Sequence, residues 1–252
     1  MKVFAQKNKD GEWASVPVSN SVRGFDFKGY EIIPYLYENI DSIGIEKEDI
    51  IVGGIPCVRA ILNKFDFQVP NLSIPHDGLL QFCERKFNLI TIRELNNIVN
   101  KEKFDKFFIK PYKEHKLFTG HIVSSFKDLF KSMHVPEDTE IVSSDYVEFI
   151  SEYRIFVTNG EIRGMSHYGG DFLVFPNKFV IKMLVKKAYE IYGLNGFSVD
   201  IGITRDNKTL LVELNDGFSL GCYGLNYLEY TNLIEARWKQ LNETSINNKK
   251  RS

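Results

Sequence analysis

The chain has 252 residues, 43% of them hydrophobic and 26% charged, which suits one large or two small globular domains. A formal net charge of −1 excludes a molecule-wide attraction for nucleic acid or anionic lipid. No apolar run approaches the ~20 residues of a membrane span, residues 1–7 turn polar too soon for a secretion signal, and Cys57, Cys83 and Cys222 are spaced for neither a disulfide framework nor a zinc site, so a cytoplasmic protein without membrane contact is expected.

In chain order, residues 1–90 read as a small α/β unit. Residues 30–40 form an amphipathic segment and 49–52 a short buried strand, after which Gly53-Gly54 turns the chain into a helix over 57–63. Pro70, Pro75 and Gly78 punctuate the stretch that follows. A second unit covers 91–245, in two parts near 91–145 and 146–245, and residues 246–252 are a polar tail. Within it a helix is predicted over 91–99 and a strand over 106–110, stopped by Pro111. A polar loop takes 112–120, and Ser125 is placed to cap a helix over 125–133. Strands are expected over 140–142 and 146–150. Residues 152–157 and 161–166 make a hairpin about Asn159-Gly160. A helix over 176–192 opens on Pro176 and closes at Gly193, with an apolar stripe of Val180, Met183, Leu184, Ala188 and Ile191. A last amphipathic helix covers 227–241. Most of the 20 Phe and 12 Tyr are needed for the core.

Between the last two helices lies the most chemically loaded stretch. Gly196-Phe-Ser-Val-Asp200 and Leu210-Leu-Val-Glu213-Leu-Asn215 read as antiparallel strands joined by the polar turn 204–208. Glu213 and Asn215 are two apart and share a strand face. With Asp200 they make a set of oxygen donors suited to a hard cation such as Mg²⁺, which fills its shell from phosphates and water.

The order Phe-Ile-Lys110-Pro, then Val147-Glu-Phe-Ile-Ser-Glu152, then Asp200, then Glu213-Leu-Asn215 resembles the ATP-grasp superfamily over roughly residues 85–225. The chain looks closest to small ATP-grasp proteins of phages and bacteria, through Lys116-Leu-Phe-Thr-Gly120, Glu152-Tyr-Arg154 and Asn215-Asp-Gly217. The resemblance implies an α/β (α+β) fold: an N-terminal pre-ATP-grasp unit and two α+β lobes that enclose a nucleotide. It implies ATP and a pair of Mg²⁺ ions, the metal held by Asp200, Glu213 and Asn215. Lys110 is implied on the α/β-phosphates and Lys116, on the 112–120 loop, on the β/γ-phosphates. Backbone groups around Glu148, Phe149 and Ile150 are implied on the adenine edge, and Glu152 on the ribose. Arg154, in phase with Glu152 along its strand, and Arg163 are implied as cations at the transferred phosphoryl group.

Neighbouring residues carry weaker expectations. Arg85-Lys86 is a candidate for a second phosphate cation. Lys113, His115 and His121 read as solvent-facing loop groups, and Cys222 as structural. His167 and Asp171 line the acceptor site or simply form a loop. The Pro-Gly that family members commonly carry after the Glu-x-Asn is missing, which leaves the acceptor site open. The implied activity is ligation of a carboxylate to an amine through an acyl-phosphate. The alternatives are a kinase that releases its phosphorylated product and a non-catalytic nucleotide- or nucleic-acid-binding module. An amino acid, a peptide, a protein terminus or an RNA-linked amine all fit as partners, and the oligomeric state is not fixed.

Overall fold

The computed structural model describes residues 1–101, 103–113 and 117–249. The chain opens with β1 (Val3–Lys7), α1 (Val16–Phe27), β2 (Ile32–Leu36), β3 (Ile50–Val52) and α2 (Ile55–Lys64). The three strands form a parallel sheet in the order β2-β1-β3. The amphipathic segment at 30–40 is thus a strand, followed by one 3₁₀ turn over Tyr37–Asn39. Pro34 is tolerated in that strand because β2 is the sheet edge. Helix α2 follows Gly54 with Pro56 in its first turn, as the Gly-Gly turn suggests. Neither β1 nor α1 was among the expected elements. The signal for α1 was the Ser15 cap, which accepts from Val18 N, with Pro17 in the first turn.

A second, antiparallel sheet follows. It contains β4 (Phe87–Thr91), β5 (Phe107–Pro111), β6 (His121–Val123) and β7 (Glu140–Asp145), in the order β4-β7-β5-β6. Helix α3 (Ile92–Val99) is opened by a capping box between Thr91 and Glu94, and packs Ile92, Leu95 and Val99 into this sheet's core. The helix expected over 125–133 is a single 3₁₀ element, Phe126–Lys131, in which Asp128 closes the box with Ser125. The strand expected over 146–150 is irregular. It is the crossover that leaves this sheet at Asp145 and enters the next at Ser151.

The third sheet holds β8 (Ser151–Thr158), β9 (Glu161–Gly170), β10 (Gly196–Ile203) and β11 (Thr209–Asp216), antiparallel throughout, in the order β11-β10-β8-β9. Asn159 and Gly160 both adopt positive φ at the β8–β9 turn, which is what an Asn-Gly hairpin demands. Side chains alternate between the two faces. Tyr153, Ile155, Val157, Val199 and Ile201 meet α4 (Lys178–Tyr192) in one core. Phe156 points the other way, into a core built from the N-terminal sheet and α5 (Tyr227–Lys249), with Trp238 and Tyr230 fully buried. The C-terminal helix therefore fastens the first unit to the third sheet. No helix among the described residues is long and apolar enough to cross a membrane.

An ionic knot secures that fastening. Glu235 on α5 accepts from Tyr30 Oη at 2.5 Å and Lys239 Nζ at 2.6 Å, and also pairs with Lys28. Burial alone would raise the Glu235 carboxyl, but its three donors pull it from its ordinary value near 4.5 down to about 2. A carboxyl with a depressed folded-state pKa stabilises above its unfolded value, and that contribution is lost as pH falls through the folded one. Wild-type stability should therefore drop between about pH 4.5 and 2. Glu235→Gln should be less stable at neutral pH by about 1–2 kcal/mol and should show a flatter acid limb in urea unfolding.

Candidate active site between the two antiparallel sheets

A cleft of about 500 Å³ opens between the second and third sheets, within the size range of ligand sites. Phe87, Phe108, Ile122, Val142, Val147 and Phe149 give it an apolar part; Arg85, Lys110, Glu152, Tyr168 and Glu213 give it a polar one. The crossover from β7 to β8 supplies Tyr146, Val147, Glu148 and Phe149 to its wall. Gly202 is required behind that wall, since a Cβ there would stand 2.2 Å from the Phe149 ring.

One rung of the third sheet carries the charge. Across β8, β10 and β11, Arg154 lies opposite Asp200, and Asp200 opposite Glu213. Arg154 donates Nε to Asp200 Oδ1 at 2.7 Å and Nη2 to Oδ2 at 2.6 Å, a buried fork-on-fork pair. Asn215 Nδ2 lies 3.3 Å from Asp200 Oδ2 and 3.4 Å from Glu213 Oε1. Lys110 Nζ is 3.6 Å from Glu213 Oε2. Lys110, Glu213, Asn215, Asp200 and Arg154 thus form one connected chain of polar groups that begins at the cleft wall.

A β-bulge makes this possible. Asp200 pairs with Glu213, but the next residue, Ile201, pairs with Leu211, so Val212 has no partner of its own in that register. Leu211 can then face the α4 core while Glu213, only two residues on, faces the cleft. The carbonyl of Val212 is taken up by Arg85 Nη2 at 2.6 Å. The Arg85 guanidinium lies 5.0 Å from the Phe87 ring centre and 5.9 Å from that of Phe149, and its buried Nε has no hydrogen-bond partner. Burial holds its pKa below the ordinary arginine value.

A second bulge, in β9, skips Tyr168 between Gly169 and His167. Tyr168 Oη donates to Glu152 Oε2 at 3.0 Å, and its ring packs on Tyr223 at 5.3 Å. Tyr223 in turn lies 4.7 Å from the Arg154 guanidinium. Burial and the nearby carboxylates of Asp200 and Glu152 push the Tyr168 phenol upward, so it stays a donor. Neither Tyr168 nor Tyr223 was singled out from sequence. Their signal is long-range: one is a bulge residue, the other a loop residue at φ +39°.

Burial pushes the Asp200 carboxyl up to about 6, against the pull of Arg154 and helped by Glu213 and Glu152. Burial alone would lower the Arg154 guanidinium; Asp200 reverses this and the net shift is upward. Two carboxylates and an amide are oxygen donors of the kind Mg²⁺ takes; here Arg154 and Lys110 balance the two carboxylate charges and Asn215 turns its Nδ2 toward them. Among the described residues no group of three His, Cys, Asp or Glu is placed to hold a metal; the third oxygen-bearing side chain of this set is the Asn215 amide.

The other expected site residues lie as follows. Lys116 and His115 lie outside the described residues. Glu148 lines the cleft and pairs with Arg205 at 3.2 Å. Ile150 is not suited to an adenine contact, because its N–H donates to Ile203 O and its C=O accepts from Asp171 N, both at 2.8 Å. It anchors the crossover instead. Arg154 does not reach out as a phosphate clamp, because its Nε and Nη2 are committed to Asp200. Arg163 is not brought to the cleft. It is the extra residue of another β9 bulge, pairs with Glu161 at 2.6 Å and lines a separate cavity against α5. Of Arg85-Lys86 only Arg85 enters the cleft; Lys86 is exposed. Lys113 pairs with Glu140, and the His121 ring bonds the carbonyls of Thr119 and Asp128 at the cleft rim. His167 packs on Tyr153, Asp171 caps Leu173 N, and Cys222 is buried against Asn20.

The model of one family, the ATP-grasp domain of R2K clade family 2, matches residues 82–233. Among solved structures, an L-amino acid ligase from Bacillus licheniformis aligns with a TM-score of 0.59 at 12% identity, over 95% of this chain and 74% of that one. D-cycloserine synthetase DcsG aligns at 0.58 and 10% identity, over 94% and 99%. D-alanine–D-alanine ligase from Bacillus anthracis, complexed with ATP, aligns at 0.55 and 12% identity, over 98% of both chains. At such identities the likeness is one of fold. No curated protein matches the chain.

Removing one member of a buried ion pair strands the other's charge. Arg154→Met should therefore cost about 3–5 kcal/mol of stability. Arg154→Met with Asp200→Leu should recover most of that loss, as read by urea unfolding in a double-mutant cycle.

Proposed function

The chain belongs to the ATP-grasp family of R2K clade family 2, and on that premise we propose that it is an ATP- and Mg²⁺-dependent ligase joining a carboxylate to an amine. The observation that carries this is the meeting of Lys110 with Glu213, Asn215 and Asp200 beside a cleft of about 500 Å³ between two sheets. The fold of amino acid ligases supports it. An N-terminal unit, an ATP-grasp domain and a cytoplasmic setting are kept, with the boundary before β4, because β4 pairs with β7 and the family match begins at residue 82.

The adenine occupies the apolar part of the cleft, with its polar edge toward the backbone of Val147, Glu148 and Phe149. Glu152, fixed by the Tyr168 hydroxyl, accepts from the ribose. Lys110 and Arg85 face the phosphates as a mobile point charge and a fixed one. Asp200, Glu213 and Asn215 would hold Mg²⁺, whose charge would offset that of the triphosphate. Arg154 is a positioning residue that fixes both oxygens of Asp200. A substrate carboxylate oxygen attacks the γ-phosphorus, the bond to ADP breaks, and an acyl-phosphate forms. An amine then attacks the acyl carbon, phosphate leaves, and the amine proton passes to solvent. No side-chain nucleophile is needed; alignment and charge neutralisation do the work.

ADP release screened over amino acids, peptides and aminoacylated RNA, with mass spectrometry of the products, tests the proposal. A condensed product is expected, lost on chelation of Mg²⁺. Glu213→Gln and Lys110→Met should each lower kcat by about 10²-fold or more. A stable phosphorylated acceptor without condensation would make the protein a kinase, and tight Mg-ATP binding without turnover on any acceptor would make it a binding module.

A further inference from the structure

The segment that follows β9 displays apolar side chains that the fold could have buried. Phe172, Leu173, Phe175, Phe179 and Met183 are each between 59% and 69% exposed. They are not on a loose loop. The buried Tyr153 donates its hydroxyl to the carbonyls of Phe172 and Val174, at 3.2 and 3.0 Å, and Asp171 caps Leu173 N. Asn177 fixes the start of α4 by accepting from Phe179 N and Val180 N, while its own N–H donates to Thr209. Phe179 and Met183 lie one turn apart on the face of α4 opposite its buried Ile181, Leu184, Val185 and Ala188. Apolar side chains held out to solvent by so ordered a segment mark an interaction site.

The same stretch is basic. Residues 172–187 contain Lys178, Lys182, Lys186 and Lys187 and no Asp or Glu, in a chain whose net charge is −1. Lys186 and Lys187 reach only Glu190, at 3.9 Å, and Lys178 and Lys182 have no ion pair among the described residues. We propose that this face of α4, with the 172–175 segment, docks an acidic polypeptide segment bearing apolar side chains. The charge sets the sign of the partner. A second copy of the chain is disfavoured, because a two-fold contact through this face sets lysine against lysine. Next to Met183 and Val180 the surface is concave, a groove of about 290 Å³ whose other lining includes Gln81, Asn177, Asn207 and Lys208, the last paired with Glu84 of the same groove. Side-chain amides in a groove can bond the backbone of a peptide that enters it, whereas a lipid surface is flat. The start of the segment is tied to the crossover, since Asp171 N bonds the Ile150 carbonyl.

The test is a random peptide library selected on the intact protein without ATP, so that its outcome is independent of the ligase reading. The counter-target is a Phe179→Ser/Lys182→Glu variant whose unfolding midpoint has been matched to wild type. Enriched peptides should combine Asp or Glu with Leu, Phe or Trp, bind the variant at least about 10-fold more weakly, and weaken with salt. Phosphatidylglycerol vesicles and oligo-dT are run alongside. Enrichment that is absent, that is not acidic, or that the variant shares would overturn the proposal, as would stronger binding of the vesicles or the oligonucleotide.

Discussion

The bulge at Val212 is the constraint from which the site follows. A regular β11 would send Leu211 and Glu213 to the same face. Either the α4 core would lose a leucine or the cleft would lose its carboxylate. One unpaired residue removes the conflict, at the cost of a carbonyl with no ladder partner. Arg85 meets that carbonyl from the strand-entry segment of the other sheet. A local irregularity in one sheet is thereby tied to the geometry of its neighbour, and the cleft between them acquires a fixed cation where the irregularity lies.

The two faces of the third sheet have different tasks. The α4 side is apolar and continuous, an ordinary core. The opposite side carries Arg154, Asp200 and Phe156, and only part of it is greasy. A buried carboxylate there is tolerable because Arg154 bonds both of its oxygens and Asn215 approaches one of them. The N-terminal unit and α5 cover the remainder. This explains why the last helix of the chain packs with the first sheet, through Trp238 and Tyr230, and why Glu235 is held by Lys28 and Tyr30 so far away in sequence.

What could be read from sequence was what local pattern encodes. The Asn159-Gly160 turn, the helix closing at Gly193 and the Asp200 / Glu213-x-Asn215 hairpin all rest on spacings of a few residues. Glu213 and Asn215 share a face because the bulge precedes both. Arg163 shows the limit: strand parity gave no hint that it is itself a bulge residue, turned to another cavity. Tyr168 is the mirror case, a residue that simple alternation passes over and a bulge delivers to Glu152. The partner of Arg154 was not legible, since the Arg154–Asp200 register joins residues 46 apart. The 146–150 stretch carries the β-branched and aromatic residues of a strand, yet it serves as a crossover, and only the sheet order reveals that.

The distances divide the charges of the site into committed and exchangeable sets. Arg154 and Asp200, at 2.6 and 2.7 Å in a bidentate pair, cannot part without stranding a buried charge. Lys110 and Glu213, at 3.6 Å and open to the cleft, are too far apart for a strong hydrogen bond. Either can leave the other at little cost when a better partner arrives. On the proposed reading, a polyanion with its cation would supply both partners at once: phosphate oxygens for the ammonium, the metal for the carboxylate. Arg85, with one nitrogen held by Val212 and another unpartnered, is likewise half-committed. A site that must be stable when empty and still bind a densely charged ligand needs this split. Its rigid pair keeps the geometry while its loose pair trades protein charge for ligand charge, so that neither Lys110 nor Glu213 is stranded in either state.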